Sequence, residues 1–201
     1  MIYKTDMKRW LDLVLSIIGL LLFLPIILII MILIKLDSQG PVYFKQRRIG
    51  KNKKEFYILK FRTMRIDTPH DIPTNLLLNP DKYITRVGRF LRKSSLDEFP
   101  QIINILKGEM SIVGPRPALW NQYDLLEERD KYGANEVTPG LTGWAQINGR
   151  DELPIDVKAK LDGEYVKNIS FAFDFKVFFF TIAKVLTSNG VKEGRSHSKS
   201  L

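Results

Sequence analysis

The 201-residue chain contains no cysteine and only two histidines, His70 and His197. The first absence excludes disulfides, thiolate metal sites and a cysteine nucleophile; the second excludes a histidine metal cluster. Acidic residues are also in deficit, with 22 Asp and Glu against 31 Lys and Arg, a formal net charge of +9. The excess is local, since residues 35–65 hold ten Lys or Arg against Asp37 and Glu55 alone. Such a patch suits anionic headgroups or phosphorylated ligands. Nucleic acid competes for the same chemistry, but no helix-turn-helix, zinc-finger or RNP pattern is present, and no nucleic acid partner is expected.

What the chain does contain is an uncharged run from Leu13 to Ile34 with Pro25 near its middle. As an unbroken helix it rises ~33 Å, enough to cross a hydrocarbon core of ~30 Å. Pro25 has no N–H for the carbonyl of Leu21, so a kink is expected there. Both flanks are basic: Lys4, Lys8 and Arg9 precede the run, and Lys35, Lys45, Arg47 and Arg48 follow it. Translocated segments avoid Lys and Arg, so the flanks favour a helix that enters and turns back over one that spans. The run exceeds a signal-peptide apolar core and lacks a small-x-small cleavage site. The remaining ~165 residues make one domain. The expected organisation is a membrane segment over residues 1–36 and one catalytic-size domain over 37–201.

Pro41 to Arg48 and Glu55 to Met64 read as two strands joined by a polar turn, with Lys60 and Arg62 on one face. Residues 66–81 read as an ordered excursion rich in proline. A basic helix follows Asp81, with Arg86, Arg89, Arg92 and Lys93 expected to crowd onto one side. Ser95 and Glu98 have capping-box spacing for the next helix, within which Pro100 is comfortable only in the first turn. Met110 to Val113 suits a short buried strand. Residues 119–136 read as an acidic helix, and Trp144 to Arg150 as a strand presenting Trp144, Gln146, Asn148 and Arg150 on one face. Phe171, Phe175, Phe178, Phe179, Ile182, Val185 and Leu186 form a helical face that fits either a core or a membrane surface.

Two motifs carry candidate chemistry. Asp97 and Glu98 are adjacent carboxylates that suit the first turn of a helix; they can equally bind Mg²⁺ on a diphosphate, or supply a nucleophile. Arg116 lies between Pro115 and Pro117, either as a plain surface turn or as a guanidinium pre-set to read an oxyanion.

Taken in order, several motifs resemble the bacterial sugar transferases, small monotopic phosphoglycosyl transferases that start glycan assembly on a polyprenol phosphate. The carriers are the membrane segment with Pro25, Lys60-Phe61-Arg62-Thr63-Met64, Ser95-Leu96-Asp97-Glu98-Phe99-Pro100-Gln101, Gly114-Pro115-Arg116-Pro117, and Pro139 through Arg150. Many members break the membrane helix at Ser-Pro, whereas Leu24 precedes Pro25 here.

The resemblance implies an α+β fold: a re-entrant membrane helix hairpin plus one mainly helical domain with a small sheet and interfacial helices, on the cytoplasmic face of the bacterial inner membrane. It implies a UDP-sugar donor, a polyprenol phosphate acceptor, contact with membrane phospholipid, and hand-over to downstream glycosyltransferases. Asp97 is implied as the nucleophile that releases UMP, and Glu98, with Asp97, as the ligand of Mg²⁺. Arg92 and Arg150 match phosphate-binding positions and Arg116 the uridine end; Lys60, Arg62 and Gln146 complete the expected substrate-binding set. Two rivals remain beside this reading: a membrane-tethered basic module without catalysis, and a metal-dependent lipid phosphate hydrolase.

Overall fold

The computed structural model describes residues 3, 6–68, 80–149 and 153–186. The apolar run lies within one 32-residue helix, α1 (Asp6–Asp37), with Asp6 in its first turn and Lys35 in its last, each complementing the helix dipole. Pro25 lies inside α1, which stays helical on both sides of it. By length and composition α1 is apolar enough to cross a membrane.

The two ends of α1 nevertheless rest on the same body. Near its start, Arg9 donates to the carbonyls of Ile105 and Leu106 at 2.5 and 2.9 Å, and Asp12 accepts from the Ile112 amide at 3.1 Å. Midway, Phe23 meets Phe99 edge-on, with ring centroids 5.2 Å apart. Near its end, Ile30 and Ile34 are buried against Phe61 and Leu91. These contacts follow helical spacing and define one inward stripe. The opposite face, including Ile18, Leu21, Leu22 and Leu36, is exposed.

Strands β1 (Tyr43–Ile49) and β2 (Glu55–Phe61) form the expected antiparallel hairpin, with Tyr43 opposite Phe61 and Ile49 opposite Glu55. Its turn places Asn52 and Lys53 in the left-handed region. Helix α2 (Arg86–Lys93) follows, then α3 (Gln101–Lys107) and the short strands β3 (Ser111–Val113) and β4 (Ala118–Leu119). Strand β4 extends the hairpin to the order β2-β1-β4, pairing Ile49 with Ala118. Helix α4 (Tyr123–Asp130) leads to β5 (Gly140–Thr142), which pairs parallel with β3. Gly140 makes that approach possible, because a Cβ there would lie 2.1 Å from the Gly114 amide nitrogen. Helices α5 (Trp144–Asn148), α6 (Ile155–Asn168) and α7 (Phe171–Leu186) close the chain. The architecture is mostly helical, with one small sheet, a two-stranded pair and a long apolar N-terminal helix.

Several expectations change. Trp144 to Asn148 is helical, not a strand; Gly143 and Gly149 bound it, and the Asn148 side chain donates back to the Trp144 carbonyl at 2.8 Å. Packing overrides the apparent alternation, since the Trp144 ring lies 5.0 Å from Phe173 between centroids. Ser95 caps nothing: it adopts a left-handed backbone, φ 57°, and makes no side-chain cap bond. The helix starts only after Pro100, at Gln101. The cations of α2 do not share one side, because Arg86, Arg89 and Lys93 are exposed while Arg92 turns inward. The acidic helix is shorter than residues 119–136 suggest. In α7 the two alternatives divide the helix: Phe173 and Val177 pack in the core, while Phe171, Phe175, Phe178, Phe179 and Ile182 stay exposed. Most of the proline-rich excursion, residues 69–79, lies outside the described residues.

Candidate active site

Leu96, Asp97 and Glu98 form a single 3₁₀ turn between α2 and α3. The left-handed Ser95 makes the reversal that sets it there, an uncommon backbone state for a residue with a side chain. The turn carries its two carboxylates toward β2. Lys60 Nζ, from β2, donates to Glu98 Oε1 at 2.7 Å, and Arg116 Nη2, from the loop between β3 and β4, donates to the same oxygen at 3.0 Å.

These cations split the two acids. Burial works to raise the Glu98 carboxyl, but the charges and hydrogen bonds of Arg116 and Lys60 prevail and hold it well below the usual range. Burial pushes Asp97 the other way, above its ordinary value, and the neighbouring Glu98 charge adds to the rise; Lys60, Arg92 and Arg116 oppose it. The pair therefore consists of a firmly ionised Glu98 and a more basic Asp97 facing three cations.

Arg92 arrives from α2. Asp37, in the last turn of α1, accepts from the Val87 amide at 2.9 Å, and Thr85 caps the helix through the Gly88 amide at 2.9 Å. Gly88 lets α2 press onto the segment after β2, since a Cβ there would lie 2.1 Å from the Thr63 carbonyl oxygen. Arg92 Nε then donates to Thr63 Oγ1 at 2.9 Å.

The loop holding Arg116 is secured carbonyl by carbonyl. Gly140 N donates to the Pro115 oxygen at 2.9 Å, Arg129 Nη2 to the Arg116 oxygen at 3.0 Å, and Arg48 Nη1 to the Pro117 oxygen at 3.0 Å.

Of the residues expected from the sequence, Asp97, Glu98, Lys60, Arg92 and Arg116 come together. Arg62 does not belong with them. It is buried at the end of α1, donating to Ser38 O at 2.7 Å, Ser38 Oγ at 3.0 Å and the Gln39 carbonyl. The strand ends at Phe61, so alternation does not extend to Arg62. Gln146 sits in α5, its Nε2 3.4 Å from the Leu141 carbonyl and its Oε1 buried without a partner among the described residues. Arg150 lies outside the described residues. Arg129 and Arg48 were not among the expected site residues. Arg129 had a signal, since it falls on the same helical face as Leu125 and Leu126, an unusual place for a cation without a buried partner.

This arrangement, a carboxylate pair among converging cations, suits a phosphorylated ligand. The chain belongs to the bacterial sugar transferase family, whose model matches residues 3–188. It is 44% identical over 188 residues to an uncharacterized sugar transferase, EpsL, of Bacillus subtilis, covering 93% of this chain and 91% of that protein. It is 43% identical over 186 residues to the UDP-glucose:undecaprenyl-phosphate glucose-1-phosphate transferase of Escherichia coli, covering 89% of this chain but 40% of the relative. The exopolysaccharide production protein ExoY of Rhizobium meliloti is 39% identical over 197 residues, 91% of this chain and 87% of its own length.

Proposed function

We propose that this chain transfers a sugar-1-phosphate from a UDP-sugar to a polyprenol phosphate such as undecaprenyl phosphate, releasing UMP. The Asp97–Glu98 pair among Lys60, Arg92 and Arg116 is the observation that carries the reading. Relatives named for glucose-1-phosphate and N-acetylgalactosamine phosphate transfer to undecaprenyl phosphate support it.

In the first half-reaction an Asp97 carboxylate oxygen attacks the sugar-bearing phosphorus. The bond from that phosphorus to the bridging oxygen breaks, and UMP departs with that oxygen. In the second, a phosphate oxygen of the polyprenol phosphate attacks the aspartyl phosphosugar; the Asp97–phosphorus bond breaks, freeing the carboxylate and the polyprenyl diphosphate sugar. Phosphoryl transfer consists mainly of positioning and neutralising the equatorial oxygens, work that suits Arg92 and also Arg116, which lies beside Glu98 and is read here at the phosphate rather than at the uridine end that the motif implied. The raised proton affinity of Asp97 goes with a better nucleophile once it is ionised. Glu98, already paired, holds Lys60 and Arg116 in place.

Mg²⁺ is commonly held by one or two carboxylates plus substrate phosphates rather than by an all-protein cage. Asp97 and Glu98 fit that donor set, and among the described residues no cluster of three or more His, Asp or Glu offers a cage instead. Bound there, Mg²⁺ would neutralise diphosphate charge.

Both ends of α1 rest on one domain, whereas a helix that crossed fully would carry its ends to opposite sides; the re-entrant reading takes Pro25 as the point where α1, helical on both sides of it, turns back. With basic flanks on both sides, the reading places the domain on the cytoplasmic face of the inner membrane, with the exposed phenylalanines of α7 in phospholipid and the product passed to downstream glycosyltransferases. The function is tested by UMP release from a panel including UDP-glucose and UDP-N-acetylgalactosamine, with Mg²⁺ and undecaprenyl phosphate. The reading expects release from at least one donor and its loss in Asp97→Asn; wild-type protein inert towards the whole panel contradicts it.

A further inference from the structure

Pro115 and Pro117 have no amide N–H, so the loop carrying Arg116 cannot be pinned by an ordinary strand ladder. Its three successive carbonyls instead take donors from three separate elements: β5, α4 and β1. The α4 donor is exceptional. Arg129 is 4% exposed, and its Nε and Nη2 both bind Asp162 Oδ2 of α6, at 2.8 and 2.6 Å. Asp162 is 1% exposed, and its Oδ1 has no partner among the described residues.

Stability alone does not account for such a pair, because well-packed apolar residues in place of a buried ion pair are often neutral or stabilising. What apolar residues cannot supply is the third bond of the Arg129 fork, from Nη2 to the Arg116 carbonyl at 3.0 Å. That bond fixes the backbone from which the Arg116 guanidinium reaches Glu98, 3.0 Å away. We propose that Arg129, anchored by Asp162, is a positioning residue for Arg116, with Arg48 securing the adjacent Pro117 carbonyl, so that a buried ion pair between α4 and α6 sets the aim of a substrate-binding arginine.

The inference rests on the sugar-phosphate transfer reading for its kinetic consequence, but not for its geometry. Arg129→Lys separates the roles, since an ammonium can stay near Asp162 but lacks the planar fork needed for both partners. The test is a double-mutant cycle with Arg116→Lys, read as kcat/KM for UDP-sugar turnover by full-length protein in membrane mimetic. Arg129→Lys alone is expected to lower kcat/KM by about 10-fold to 10²-fold, the scale of a misplaced binding group. In the Arg116→Lys background it should cost less than about twofold, because the group it positions is already impaired. Losses that multiply would overturn the proposal. Arg48→Lys runs through the same cycle and decides the matter if Arg129→Lys does not fold. The Arg116 ¹⁵Nε resonance gives a readout independent of substrate: it should shift in Arg129→Lys and Arg48→Lys, and an unchanged resonance overturns the brace whatever reaction the protein performs. Inert wild-type protein with a shifted resonance would instead sink the functional reading and leave the brace standing.

Discussion

Lys60 Nζ lies 2.7 Å from Glu98 Oε1, joining the central hairpin to the turn that bears the carboxylate pair. Both side chains are largely shielded, so the contact is not an ordinary surface ion pair. Lys60→Met should cost ~10²–10³ in kcat, comparable to loss of a preorganised charge-stabilising donor. Steady-state UMP release with a thermal melt alongside checks this; unchanged turnover would remove Lys60 from the site.

Arg62 makes the contrasting prediction. Its guanidinium secures the end of α1 through Ser38 and Gln39 rather than entering the carboxylate cluster. Arg62→Met should lower stability by about 1.5–3 kcal/mol, the scale of hydrogen bonds to a charged group, with turnover per folded molecule nearly retained. Thermal denaturation combined with active-site titration separates the two; wild-type stability with lost turnover would return Arg62 to the substrate.

The opposed shifts of the dyad give a pH profile with a definite sign. In the proposed mechanism Asp97 attacks as the carboxylate, and its proton affinity is raised, so kcat/KM should fall as pH drops through a value above the ordinary aspartate range of ~3.9. Glu98 is depressed and stays ionised over that limb. Glu98→Gln removes a charge that raises Asp97, so the acid limb of the residual activity should move to lower pH. A limb moving upward would contradict the assigned direction.

Gly88 permits α2 to approach Thr63, and a Cβ there would lie 2.1 Å from a backbone oxygen that cannot rotate away. Gly88→Ala should displace α2 and with it the Arg92–Thr63 contact, lowering both melting temperature and UMP release. Equal melting temperature and turnover would show that the helix has room to move.

The hairpin, the basic α2 and the short β3 were legible because each rests on local pattern: alternation across a polar turn, clustered cations, and an apolar triplet between polar flanks. The carboxylate pair and Arg116 were legible as residue types in motif order. Their convergence was not, because it depends on a left-handed Ser95 and on Gly88 and Gly140 allowing backbones to touch. Trp144 to Asn148 misled because five residues satisfy strand alternation and one helical turn alike, and the choice was made by the packing of Trp144 on Phe173. Arg62 misled because β2 ends one residue before it.

The topology of α1 is open to direct labelling, made clean by the absence of native cysteine. Lys4→Cys and Lys45→Cys should both react with an impermeant maleimide from the cytoplasmic side in inverted vesicles. Reaction from opposite sides would make α1 a spanning helix.

In the proposed mechanism Asp97 carries the sugar phosphate between donor and acceptor. The most direct measurement is intact and peptide mass spectrometry after mixing the protein with its UDP-sugar and Mg²⁺ in the absence of polyprenol phosphate. A phosphosugar adduct is expected on the peptide containing Asp97, with UMP release no greater than one per enzyme and discharge of the adduct when polyprenol phosphate is added. UMP released only when both substrates are present, with no adduct at any time, or an Asp97→Asn protein that turns over normally, would contradict it.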